Sequence, residues 1–339
     1  MTECLPPAPG GFVPRAPLHM VWISTNACNT RCLHCSSNSE RRTPDELTTD
    51  EVFRLLDDFV DFGVLDLAIS GGEPLLRRDL FRIAEHAGAR GMAVGVGSNG
   101  GKLKARQAAA LRDAGVGRVQ FSLDGFQGAH DTLRRWPGLF ERVLASVALA
   151  QESGLRVHLC CTINRLNEDE LEPFTAFVAG LGVARLNFSR YVPTGRGTDA
   201  LDLRRGEWRR VMERCAALRA EYRGRLDIVG HLAQQVLVDA EIAAQPAFAG
   251  CQAGIGQGCV TANGTVYPCV LLPVPVGNVR ERPFAEIWRT APELEALRDR
   301  GRLQGRCAGC GVRDRCGGCR AVAYAQTGDY LAEDGRCWT

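Results

Sequence analysis

LHMVWISTNACNTRCLHC, residues 18–35, decides the fold. Its first part, LHMVWIST (18–25), is a short run of apolar and β-branched residues and reads as a β-strand. Its second part sets Cys28, Cys32 and Cys35 in a polar loop directly after that strand. Three thiolates at this spacing can hold three irons of a [4Fe–4S] cluster and leave the fourth iron open to another ligand. A zinc site completed by His34 is the competing reading. His34 and Cys35 are sequence neighbours, however, and would struggle to meet one tetrahedral ion. Burial as three core cysteines suits such a polar loop poorly.

Downstream, strands and helices alternate. DLAIS (66–70), MAVGVGS (92–98), RVQFSLD (118–124), LRVHLCCTI (155–163) and ARLNFSRY (184–191) read as five more strands. A capping box, Thr48-x-x-Glu51, opens a helix through about Phe62. Further helices are expected over 78–90, near 104–114, over 138–153 and near 167–180. This alternation predicts parallel strands with right-handed helical crossovers. Runs such as VHLCCTI suit strands buried on both faces. Six units are fewer than the eight of a closed barrel. The expected class is therefore α/β: an open, partial (β/α)6 TIM-like barrel with function at the C-terminal strand ends. A longer helix is expected near 205–222 and a helical linker over 230–250. After Cys251 come short strands, Gly-rich turns and eight cysteines, the signs of a small Cys-rich α+β domain. The expected division is an N-terminal extension (1–17), the barrel (18–235), a linker (236–250) and the Cys-rich domain (251–339). No internal repeat is visible.

The chain has 339 residues, with 45% hydrophobic and 24% charged, as in an ordinary globular protein. A formal net charge of +2 gives no reason to expect nucleic acid or a membrane surface as partner. Pro6, Pro7, Pro9, Pro14 and Pro17 interrupt the N-terminal stretch, which lacks the apolar run of a secretory signal. No segment reaches the roughly twenty apolar residues of a membrane span. A cytoplasmic location is expected. In a reducing compartment fifteen cysteines argue for metal ligation or redox chemistry more than for disulfides.

The strand ends carry short motifs. Gly71-Gly72-Glu73-Pro74 follows the second strand: glycines admit close backbone approach, and Glu73 can accept hydrogen bonds from an ammonium group. Ser98-Asn99-Gly100 ends the third strand, and Ser122-x-Asp124-Gly125 ends the fourth. Arg134 closes HDTLR (130–134). Taken singly, each tetrapeptide also suits a plain turn, and Arg134 a surface salt bridge.

Together these residues resemble the radical S-adenosylmethionine (SAM) superfamily across about 18–339. The resemblance implies that Cys28, Cys32 and Cys35 hold the catalytic [4Fe–4S] cluster, whose open iron is chelated by SAM. It implies reductive cleavage of SAM to a 5′-deoxyadenosyl radical, which takes a hydrogen atom from the substrate. His34 stands where the family has an aromatic ring near the adenine. The GGEP segment, with Glu73 and Pro74, corresponds to the binder of SAM's amino group. Ser98, Asn99, Ser122 and Asp124 correspond to ribose or carboxylate contacts, and Arg134 to a partner of SAM's carboxylate. Arg135 replaces the family's usual glycine. A low-potential electron donor of flavodoxin or ferredoxin type is implied as partner.

Cys251, Cys259, Cys269, Cys307, Cys310, Cys316, Cys319 and Cys337 are enough for two [4Fe–4S] clusters. CAGC (307–310) and CGGC (316–319) are equally ordinary zinc spacings. Cys251-x12-Gly264-x4-Cys269, with the later cysteines, resembles the SPASM domain, which carries two auxiliary clusters. By position, that resemblance implies one cluster on Cys251, Cys259, Cys269 and Cys319 and another on Cys307, Cys310, Cys316 and Cys337. Cys259 is absent from the minimal pattern; without it the first auxiliary cluster would have an open iron. Cys4, Cys160, Cys161 and Cys215 read as core residues, with Cys160 or Cys161 able to face the barrel interior.

GNVRERPFAEIW (277–288) and CGGCRAVAYAQTGDYLAEDGRC (316–337) resemble the SPASM enzymes of alternative haem biosynthesis, which act on porphyrin propionate or acetate side chains. FSRYVPTGRGTD (188–199) resembles both that branch and the mycofactocin maturase, which decarboxylates the C-terminal Tyr of a precursor peptide. Both imply loss of a carboxylate carbon after hydrogen abstraction. Arg190 and Arg196 are candidate carboxylate anchors, or else structural arginines. A peptide substrate would call for a separate leader-binding protein, because a fused leader-recognition domain does not fit before the first strand. A sugar or other small metabolite of an antibiotic pathway is a further reading. An iron–sulfur electron carrier or redox sensor is the non-enzymatic one.

Overall fold

The computed structural model describes residues 13–339. Cys4 and most of the expected N-terminal extension lie outside the described residues. Strands β1 (His19–Ile23), β2 (Asp66–Ser70), β3 (Ala93–Ser98), β4 (Arg118–Ser122), β5 (Arg156–Ile163) and β6 (Arg185–Arg190) lie side by side in chain order. Every neighbouring pair among them is parallel. The helices between them are α1 (Thr49–Phe62), α2 (Leu80–Ala89), α3 (Ala105–Asp113), α4 (Gln127–Arg134), α5 (Leu139–Glu152) and α6 (Leu171–Gly180), and α7 (Arg205–Glu221) follows β6.

Side-chain alternation along the strands separates core from cavity. Leu67 and Ile69, Val94 and Val96, Val119 and Phe121 are buried in the core cluster that the helices cover. The alternate positions Ser70, Gly97, Gln120, Ser122, Thr162 and Ser189 line an inner cavity instead. Strands apolar on both faces were expected from runs such as VHLCCTI. The inner face is small and polar because it borders the cavity and not a second apolar layer. Cys160 lies in the inner row, in register with Ser122 and Asn187, whereas Cys161 and Cys215 are core residues.

Helix α1 forms as the capping box predicts: the Thr48 side chain accepts from the Glu51 N–H, and Glu51 returns a bond to the Thr48 N–H. Its buried face is Val52, Leu55, Leu56, Phe59 and Phe62. Helix α4 was not anticipated, since Ala129 and Leu133 are the only apolar residues in QGAHDTLR and its buried face also takes in His130 and Arg134. It ends on Arg134, with Arg135 at φ 53° in the left-handed conformation of a C-cap.

The sheet does not stop at six strands. β7 (Asp227–Val229) adds in parallel to β6. At the other edge β8 (Gln257–Val260) pairs in parallel with β1, and β9 (Thr265–Tyr267) and β10 (Gly277–Asn278) follow antiparallel. The result is one open ten-stranded sheet, β10-β9-β8-β1-β2-β3-β4-β5-β6-β7. The Cys-rich segment thus shares the barrel's sheet. The stretch expected as a helical linker holds only a turn at Gln235–Leu237 and the short helix Ala240–Ala244. No described helix is long and apolar enough to cross a membrane.

Candidate functional site

The loop after β1 is fastened from three sides. The Gly72 N–H donates to the Thr25 carbonyl and the Glu73 N–H to the Ala27 carbonyl, both at 2.8 Å. A Cβ at Gly72 would run into the Ala27 carbonyl, so the two glycines after β2 serve close backbone contact. The Leu33 N–H donates to the Leu133 carbonyl at 2.8 Å, which ties the loop to α4. From beyond β6, Arg196 donates to the Cys32 carbonyl at 3.2 Å and to the Ser39 carbonyl, while its own N–H donates to the Cys35 carbonyl. Arg196 is therefore a clamp on the cysteine loop, the structural one of its two expected readings, and it also lines the neighbouring cavity.

Cys28, Cys32 and Cys35 all line one open cavity at the C-terminal strand ends. The Thr30 hydroxyl lies 3.1 Å from Cys28 Sγ and 3.4 Å from Cys32 Sγ. The cavity also takes in His34, Gly71, Gly72, Ser98, Asn99, Ser122 and Arg134. Burial, then the Arg134 charge, lowers the His34 pKa to about 4, so the ring is neutral at neutral pH. Its Nδ1 is buried without a hydrogen-bond partner among the described residues.

Glu73, Pro74 and Asp124 stand behind this lining. The Glu73 carboxylate accepts from Ser98 Oγ at 2.9 Å, from the Asn99 N–H at 2.8 Å and from the Leu75 N–H at 3.2 Å. Both its oxygens thus join the ends of β2 and β3, and burial raises its pKa. Pro74 is buried at the first position of the short turn Pro74–Leu76. Asp124 accepts from Arg134 Nε at 2.7 Å and from the Thr162 N–H at 2.8 Å. Burial pushes its carboxyl up, but Arg134, His34 and His130 outweigh that and lower its pKa to about 2.

In the C-terminal part, Cys307, Cys310, Cys316 and Cys337 line a single small cavity. Cys316 Sγ accepts from the N–H groups of Gln234 (3.2 Å) and Gly318 (3.4 Å). Cys251 hangs from this site, its N–H donating to the Cys316 carbonyl at 3.0 Å. Burial pushes the Cys269 thiol up to about 11, with Cys251 as a like-charged neighbour. Burial likewise pushes Cys319 up to about 12, where Arg190 opposes the rise and Cys251 adds to it. Cys251, Cys269 and Cys319 thus share one neighbourhood. Cys259 is placed differently: it packs with Ile23 and Ala262, and Cys269 is the one thiol that bears on its charge.

The donor sets suit iron–sulfur groups: three thiols with one open side in the first cavity, four around the second. A single zinc would need donors converging on one point. Among the described residues no group of three or more His, Cys, Asp or Glu side chains does so.

Comparison with known proteins agrees with this geometry. Residues 22–178 match the radical SAM superfamily and residues 251–311 match SPASM, an iron–sulfur cluster-binding domain. The chain is 34% identical to the AdoMet-dependent heme synthase of Methanosarcina barkeri, over 95% of this chain and 96% of that protein. The chain belongs to the radical SAM superfamily.

As a radical SAM enzyme with a SPASM domain, it uses SAM and iron–sulfur clusters. It is also 29% identical to the mycofactocin maturase of Mycolicibacterium smegmatis, over 91% of this chain and 79% of that one. Its fold matches that of Streptococcus suis SuiB bound to S-adenosylmethionine, with a TM-score of 0.76 at 17% identity, covering 96% of this chain and 78% of that one. Several residues lining this radical SAM cavity were missed in the sequence: Gln120, Thr162, Ser189, Val270 and Leu271. For the strand residues the signal was present as small or polar residues at every second position. For Val270 and Leu271, which come from beyond β9, sequence carried no such signal.

Proposed function

We propose that Cys28, Cys32 and Cys35 hold the catalytic [4Fe–4S] cluster and that SAM binds beside them in the same cavity. When bound, this pair supplies a 5′-deoxyadenosyl radical by one-electron cleavage of the sulfonium. Ser98, Asn99 and Ser122 offer hydrogen bonds to SAM's polar groups, and Gly71 and Gly72 offer backbone ones. His34 presents a neutral ring to the adenosine. Arg134 faces SAM's carboxylate while Asp124 fixes its orientation. Glu73 and Pro74 act from behind, by holding the ends of β2 and β3 in place. Residues 18–235 form the SAM-binding unit, and 251–339 the auxiliary unit across the turn-rich stretch 236–250. Cys307, Cys310, Cys316 and Cys337 hold one auxiliary cluster. Cys251, Cys269 and Cys319 hold the other, with Cys259 as its optional fourth ligand.

For the substrate, we favour a tetrapyrrole whose carboxylate side chain is oxidised with loss of carbon dioxide. The observation that carries this is similarity along nearly the full length to a heme synthase, at higher identity than to the peptide maturase. Full-length similarity to the maturase supports a second reading, a precursor peptide with a separate leader-binding protein. Either needs an external low-potential reductant. The test is anaerobic turnover of reconstituted protein with SAM, dithionite and an iron porphyrin bearing propionates. The expected result is 5′-deoxyadenosine together with a porphyrin product lighter, for each propionate converted, by one carbon dioxide and two hydrogens. SAM cleavage with an unchanged porphyrin would turn the assignment toward the peptide.

A further inference from the structure

Arg190, at the end of β6, lines the SAM cavity but is only 2% exposed. Its guanidinium donates to Asp334 twice, at 2.9 and 3.4 Å, and lies 4.6 Å over the Trp208 ring. Its expected role as a free carboxylate anchor is thereby corrected: the charge is already paired.

Asp334 belongs to the SPASM end of the chain and is fully buried. Besides Arg190 it accepts from the Cys319 N–H at 3.0 Å, the Arg336 N–H at 3.0 Å and Gln234 Nε2 at 2.8 Å. It also lines the cavity of Cys307, Cys310, Cys316 and Cys337. Gln234 completes the ring. Its Oε1 accepts from Trp208 Nε1 at 2.9 Å and from Arg190 at 3.3 Å, and its N–H donates to Cys316 Sγ. Gln234 holds φ 69°, a conformation that non-glycine residues avoid unless their surroundings impose it.

One ion pair thus touches three places at once: the SAM cavity, the backbone of Cys319 and the four-thiol cavity. Replacing a buried ion pair with apolar residues is often neutral or stabilising, so stability alone is a weak reason for this one. A fixed cation beside a cluster favours the reduced form, which carries one more negative charge, and an anion disfavours it.

We propose that Arg190 and Asp334 are positioning residues that set the reduction potential of the iron–sulfur group held through Cys319. This rests on the family reading above and adds to it the residues that tune the auxiliary site. Because the two charges oppose each other, removing either one shifts the potential in opposite directions. A purely structural pair has no reason to do so.

The experiment is a redox titration of the anaerobically reconstituted full-length enzyme, followed by electron paramagnetic resonance, with iron content measured on each sample. Arg190→Gln is expected to make reduction of one C-terminal signal about tenfold less favourable, a downward shift of about 59 mV for one electron. Asp334→Asn keeps an acceptor oxygen for Cys319 and Arg190 and is expected to shift the same signal upward by a similar amount. Shifts in the same direction, or none at native iron content, would overturn the proposal. Should Arg190→Gln lose iron, Asp334→Asn decides alone, and anything but an upward shift overturns it. Wild-type protein without a C-terminal cluster signal would instead refute the underlying family reading, and the proposal with it.

Discussion

Arg134 Nε donates to Asp124 Oδ2 at 2.7 Å, while another nitrogen of the same guanidinium, Nη1, lies 3.9 Å from Cys32 Sγ. Both charged groups are buried, Asp124 completely. Removing one partner of such a pair leaves an uncompensated charge. Arg134→Met is expected to lower the stability of the apoprotein by about 3–5 kcal/mol. Urea unfolding at neutral pH measures this; a loss below about 1 kcal/mol would mean that Asp124 finds another partner.

Glu51 joins helix α1 to the SPASM segment. It closes the capping box and also accepts from Arg280 at 2.7 Å. The Arg280 hydrogen bond is the main reason its pKa falls from 4.5 to about 2. A lowered carboxylate pKa stabilises above the ordinary value and loses that effect as pH falls toward 2. Glu51→Gln is therefore expected to cost about 1 kcal/mol at pH 7, a modest figure because the pair is partly exposed. The gap between variant and wild type should narrow from about pH 4.5 downward in unfolding curves recorded from pH 7 to 3. A gap independent of pH would assign the effect to the cap's shape and not its charge.

Of the thiols Cys251, Cys269 and Cys319, only Cys269 bears on Cys259, which packs instead with Ile23 and Ala262. Iron analysis after reconstitution should therefore separate them. Native protein is expected to hold about twelve irons per chain, as three clusters require. Cys319→Ser should lose about four of these, and Cys259→Ser close to none. Equal losses would make Cys259 a full ligand.

Arg135 is exposed and adopts φ 53° as the cap of α4. Left-handed backbone costs a residue with a Cβ roughly 1–2 kcal/mol, which glycine escapes. Glycine's greater freedom in the unfolded chain offsets part of that gain. Arg135→Gly is expected to raise stability by about 0.5–1 kcal/mol, seen as a higher thermal midpoint.

Gly72 allows the strand-end backbone to lie against the cysteine loop. Gly72→Ala is expected to push the Ala27–Cys28 backbone away. The first cluster should then load incompletely, by about four irons per chain, and SAM cleavage should fall at least tenfold. Full loading and normal cleavage would show that the loop can shift at no cost.

Much of this was readable in advance because its causes are local. The Thr48–Glu51 box starts α1 as expected, and the period of strand and helix gave six parallel strands in the right order. Cys28, Cys32 and Cys35 meet at one cavity because a short loop leaves them little choice. Other features are set by long-range partners. Arg190 finds Asp334 across 144 positions, and β8 finds β1 after a chain passage of more than 230 residues. No window of sequence holds both partners. Glu73 and Asp124 were placed at the right strand ends, but which way a carboxylate turns depends on Ser98, Asn99 and Thr162 on neighbouring strands.

The parallel pairing of β8 with β1 also bears on how the chain reaches its native state. Until residues 257–260 have left the ribosome, β1 presents a bare row of peptide groups along one side. Such an unpaired edge is a template for association with other chains. Ordering contacts so distant in sequence is slow, because loop closure precedes the gain from pairing. A fragment that stops near residue 250 would keep that edge for good, and clumping during expression is its expected fate.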